Sequence, residues 1–163
     1  MSAAVESLLL LLLAALLVWA GVADWRRYVI PNRISLAVAL LAPAHWLAGG
    51  GAAWPWALAA GAGLFALGTL LFARGILGGG DVKLLAALAL WPPPGELVGL
   101  LFVIALAGAL LAAATATYLR FLRPWPAGDL APDAASAQRL RASVPYALAI
   151  AAGGLWYVVR AMS

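Results

Sequence analysis

The sequence predicts an all-α, polytopic membrane protein of about six spanning helices, with its N-terminus outside. Its 163 residues are 66% hydrophobic and only 10% charged, with a mean hydropathy of +1.03. Soluble chains carry roughly a quarter charged residues, so the surplus apolar surface here has to face lipid. The apolar residues gather into segments separated by proline, glycine and short polar stretches. The basic residues cluster in alternate connections, which gives the first helix a direction.

Taken in order, the first segment covers 7–23. Glu6 precedes it and Arg26 and Arg27 follow, the reverse of a secretory leader, so an uncleaved helix is expected. The second, 34–48, follows Ile30-Pro31-Asn32, where Pro31 sets a turn and Asn32 is a candidate helix cap. The third, 53–73, is preceded by three glycines, Gly49 to Gly51. The fourth, 82–91, follows Gly78-Gly79-Gly80-Asp81 and stops at Pro92–Pro94. At 1.5 Å per residue it is about 15 Å long, against roughly 30 Å of hydrocarbon. Its start is therefore expected to sink into the membrane. The fifth covers 97–119, and the sixth, 144–159, follows a polar stretch at 120–143.

This order puts Arg26, Arg27, Arg33, Arg74, Lys83, Arg120, Arg123, Arg139 and Arg141 on one side and Arg160 on the other. By the positive-inside rule the first side is cytoplasmic. Residues 1–163 then read as a single membrane domain with a polar cytoplasmic loop at about 120–143. Asp24 and Asp81, two spans apart, return to the cytoplasmic face. His45, the one histidine, is expected on the opposite face, as an interfacial residue beside Trp46.

Several chemistries drop out. The chain has no cysteine, which removes disulfides, zinc–thiolate sites, iron–sulfur clusters and a cysteine nucleophile. A lone histidine offers no base beside a serine and no three-ligand metal set, so neither metal nor cofactor is expected. The net charge of +4 follows topology and calls for no nucleic acid. What remains is Asp24 and Asp81. Two carboxylates held close share a proton. One acts as base on a water while the other, protonated, polarises a carbonyl, which is the chemistry of an aspartic protease.

Each aspartate also has a plainer reading. Asp24 marks the point where the first helix leaves the bilayer, although an anion near a helix C-terminus opposes the macrodipole. Asp81 is a natural N-cap, and glycines before a helix are ordinary loop residues.

Asp24, then Ile30-Pro31-Asn32, then Gly78-x-Gly80-Asp81-x-Lys83 resembles the type IV prepilin peptidases, which are GxGD-type membrane aspartic proteases. "VPYALAIAAGG", 144–154, is similar to their last helix, with Ala147 where the family often has glycine. The resemblance implies a bacterial inner-membrane endopeptidase that cuts the basic leader peptide from a prepilin at the cytoplasmic face. It makes Asp24 and Asp81 the catalytic pair. Gly78 and Gly80 would shape the loop, and Lys83, Pro31 and Asn32 would be motif residues near the substrate. The plainer reading of Asn32 is a cap for the second helix, and that of Lys83 is snorkelling to the interface. Larger members carry an additional cytoplasmic domain with paired cysteines, linked to N-methylation of the pilin. This chain has neither, so no methyltransferase domain is expected. The short form resembles the peptidases of tight-adherence (Flp-type) pili, which implies an Flp-type prepilin as partner. The other function class that the aspartates allow is a small transporter, channel or assembly protein that handles protons or ions.

Overall fold

The computed structural model describes residues 3–27, 29–49, 54–121 and 146–163. It is all helical over these residues: α1 (Ala3–Arg27), α2 (Asn32–Ala48), α3 (Trp54–Ala73), α4 (Gly79–Leu88), α5 (Pro94–Phe121) and α6 (Tyr146–Met162). Of these, α1, α3 and α5 are long and apolar enough to cross a membrane. The polar stretch expected at 120–143 lies outside the described residues from 122 onward, and with it Asp129 and Asp133.

The helix limits follow local chemistry. Pro94 opens α5, where a missing N–H costs nothing because the first turn has no carbonyl to bond. Beyond the end of α3, Gly75 adopts φ 69°, a conformation that side chains resist. Its N–H donates to the Phe72 carbonyl at 2.9 Å, and the Ile76 N–H to that of Leu71 at 3.0 Å. This is the Schellman arrangement that satisfies the last carbonyls of a helix.

Neighbouring helices run in alternating directions, as their contacts show. Gly21 of α1 faces Leu148 of α6, whereas Gly154 of α6 faces Leu17. Gly68 and Gly61 of α3 meet Val82 and Leu90 in the reverse order, and Gly99 and Gly108 of α5 meet Trp156 and Ala149. The small residues let backbones approach closely, the usual way helices associate where no water drives them together. α4 and α6 form the centre. α4 packs on α2, α3 and α6, and α6 packs on α1, α4 and α5.

The core is continuous: Leu10, Leu13 and Leu17 of α1, Val38 of α2, Leu84 and Leu88 of α4 and Ile150 of α6 are buried together. Outward, by contrast, stand Leu11, Trp19, Leu40, Phe65, Phe72, Phe102 and Leu110, all exposed. A surface of this kind suits an apolar surrounding.

At Gly154 a Cβ would lie 2.4 Å from Leu17 Cδ1 and 3.2 Å from Leu88 Cδ2. Gly154→Val is therefore expected to lower stability by about 1–3 kcal/mol through overpacking. At Gly63 nothing lies within 4 Å, so Gly63→Ala should stay within about 0.5 kcal/mol of wild type. Thermal melts of the two variants in detergent check the contrast.

Candidate active site

Leu17, Leu88 and Gly154 mark one layer, where α1, α4 and α6 converge. Asp24 stands seven residues from Leu17, Asp81 seven from Leu88 and Ala147 seven from Gly154. Seven residues are close to two full turns, about 10.5 Å along the axis. The faces that meet at the first layer therefore meet again two turns on. There the Ala147 N–H donates to Asp24 Oδ2 at 3.1 Å. Asp81 is near enough for the charge of Asp24 to act on it. The structure thus brings the two aspartates to one end of the bundle, at 7% and 9% exposure.

A buried carboxylate without donors costs several kcal/mol, and a backbone donor meets the first of these. Asp24 takes the Ala147 N–H in the first turn of α6. The Asp81 carboxylate lies back against Gly78, the residue that caps α4. The cap residue itself makes no side-chain bond, because α4 begins at Gly79 and Asp81 is its third residue. The expectation that Asp81 is an N-cap is corrected accordingly: it is the third residue of α4, and its carboxylate lies back against the cap residue. Asp24 lies in the last turn of α1, which continues to Arg27.

The glycines divide the work. A Cβ at Gly78 would fall 2.6 Å from Asp81 Oδ2, so the absence of a side chain there makes room for the carboxylate. A Cβ at Gly80 would instead press on Ile30 at 3.1 Å. Gly80 accommodates the segment between α1 and α2, and Gly78 is the glycine beside Asp81. Pro31, at φ −61° and ψ 130°, is the cap residue of α2, and Asn32 is the first helical residue with no capping bond. Asn32 is therefore not the N-cap. Its Oδ1 accepts a 2.9 Å hydrogen bond from Lys83 Nζ, so Lys83 points at a partner instead of simply extending towards an interface.

His45 stands at the other end of the bundle, as expected, and is 9% exposed, packed into a cluster of aromatic side chains. It stacks on Trp91 with ring centroids 5.0 Å apart, and its Nε2 lies 3.2 Å from the Tyr157 hydroxyl. That hydroxyl donates to the Trp91 carbonyl at 3.2 Å, while the Trp46 and Trp91 indoles bond the Leu90 and Val38 carbonyls. His45 Nδ1 has no partner among the described residues.

A helical bundle with membrane-length apolar helices and two buried carboxylates at one end defines the class, a helical polytopic membrane protein. The model of the type IV leader peptidase family matches residues 11–113, a span that includes both aspartates and both glycines. The chain belongs to the type IV leader peptidase family, and its activity is that of a prepilin leader peptidase. No characterised protein matches it in direct comparison, and no solved structure does. α6, with the Ala147 donor, lies beyond the matched span.

Gly78→Ala is expected to displace the Asp81 carboxylate and lower prepilin cleavage by about 10- to 100-fold. Gly80→Ala, which asks Ile30 to give by a few tenths of an ångström, should cost less than tenfold. Cleavage rates in membranes, normalised to enzyme amount, order the two.

Proposed function

We propose that this protein is an aspartic endopeptidase of the GxGD type, which removes the basic leader from Flp-type prepilins using water activated by Asp24 and Asp81. The observation that carries this reading is the placement of both aspartates, buried, at one end of a bundle whose family cuts leader peptides, with Asp24 on the Ala147 N–H and Asp81 against Gly78. One carboxylate takes a proton from the attacking water. The other donates to the scissile carbonyl oxygen, and their roles reverse as the amine leaves.

The orientation is part of the proposal. The end that holds Asp24 and Asp81 also holds Arg26, Arg27 and Arg33, which supports an orientation with that end at the cytoplasmic face of the inner membrane. Leader peptides of basic character reach it from that side. An apolar cavity of about 290 Å³ between α4, α5 and α6 is lined by Leu85, one turn from Asp81, and by Tyr146, next to Ala147. It gives the apolar segment of the prepilin a place beside the bond to be cut. The exposed apolar faces of α3 and α5 then face the bilayer. Residues 1–163 act as one peptidase domain.

Proton or ion transport fits the core less well. Between the aspartate layer and the His45–Tyr157 cluster, the interior is filled by Leu13, Leu17, Leu84 and Leu88, which offer no relay.

Asp24→Asn and Asp81→Asn are each expected to abolish cleavage of a co-expressed prepilin while both proteins still insert. Glu6→Gln, a change at the opposite end of α1, should be silent. Near-normal processing by either aspartate variant rejects the pair. With a proton shared between them, kcat/KM should fall on both sides of an optimum. The acid limb reflects loss of the base and the alkaline limb loss of the shared proton. A profile flat from about pH 5 to 8 in detergent-stable enzyme contradicts it.

A further inference from the structure

The segment that leaves α1 after Arg27 and enters α2 at Asn32 touches α4 at two points. Ile30, 7% exposed, sits over Gly80, where a Cβ would come within 3.1 Å of its own. Asn32 Oδ1 accepts from Lys83 Nζ at 2.9 Å, a link between positions 51 apart. Both α4 residues flank Asp81, one on each side. The other end of the segment continues directly into the last turn of α1, which carries Asp24.

The chain therefore runs from Asp24 through Ile30, Pro31 and Asn32, and is fastened there to the turn that carries Asp81. Pro31 limits the backbone freedom of this strap, since its ring fixes φ, and the Ile34 N–H closes onto the Pro31 carbonyl at 2.9 Å. What the strap lacks is a fixed register against α4. Ile30 gives contact without direction, because apolar packing is non-directional. The Lys83–Asn32 hydrogen bond is directional, and among the described residues it is the one polar bond between strap and α4.

We propose that Lys83 and Asn32 are positioning residues: their hydrogen bond clasps the strap between α1 and α2 onto the first turn of α4 and so sets the spacing of Asp24 and Asp81. The assignment rests on the catalytic pair proposed above. Neither side chain needs to touch the prepilin.

The test is a double-mutant cycle in prepilin cleavage, with Lys83→Met, Asn32→Ala and the double variant, and Asn32→Asp as the conservative rescue. Misplacing a reacting group by about 1 Å costs on the order of 10- to 100-fold. Each single variant should lose about tenfold or more in kcat with KM within about twofold of wild type. The double variant should be no worse than the more damaged single one, since the two residues make one interaction. Asn32→Asp, whose carboxylate also accepts from Lys83, should retain most of the kcat. Melting temperatures in detergent should change little, because the bond is exposed. Additive losses, a rise in KM in place of a fall in kcat, or wild-type rates in both single variants overturn the clasp. Asp24→Asn and Asp81→Asn run alongside. If they are inactive while the cycle is additive, the clasp alone fails. If they are active, the pair is lost and the clasp with it.

Discussion

The architecture depends on keeping two carboxylates out of water in a chain that has almost no side chains with which to satisfy them. The fold meets this with backbone. The first turn of a helix has N–H groups without carbonyl partners and the positive end of the helix dipole. α4 and α6 start at the same level of the bundle, and each brings backbone against one aspartate: Gly78 beside Asp81 and the Ala147 N–H on Asp24. The site therefore exists only where two helix starts and the last turns of α1 come together. That requirement fixes the alternating directions and the glycine contacts that let α1, α4 and α6 close on one another.

A second consequence appears at the opposite end. α4 has only ten residues, so bringing its start to the aspartate layer leaves its other end short of the far side. The chain continues through Ala89–Pro93 without regular structure, and carbonyls freed there have no water to meet them if they lie at membrane depth. The Trp46 indole takes the Leu90 carbonyl and the Tyr157 hydroxyl takes that of Trp91. His45 is buried in this cluster because its ring stacks on Trp91 and its Nε2 meets Tyr157. The cluster thus supports the short helix whose first turn carries Asp81.

Much of this was legible in the chain. Apolar runs broken by proline and glycine located the six helices of the described residues, and the return of Asp24 and Asp81 to one end followed from counting them. The limits of legibility are physical. Ala147 contributes a backbone N–H, which every residue but proline possesses, so no side chain announces it. The burial of His45 depends on Trp91 and Tyr157, whose distance in sequence hides their meeting, while the neighbouring Trp46 suggests an interface. Asn32 looks like a cap because its residue type favours caps. Its bond to Lys83 is a tertiary contact that overrides the local preference.

The division between the two glycines shows how a short motif separates into distinct physical demands. Gly78 is bare because the Asp81 carboxylate folds back against it, and Gly80 is bare because Ile30 lies against it. The first demand comes from within α4 and concerns the direction of one carboxylate. The second comes from the strap that follows Asp24 and concerns the distance between helices. A side chain at 78 would turn the carboxylate, and one at 80 would lift the strap, so the two positions act on different coordinates of the same pair. Lys83 then extends the second demand along α4: where Gly80 permits the strap to approach, Lys83 determines where along the helix it stops.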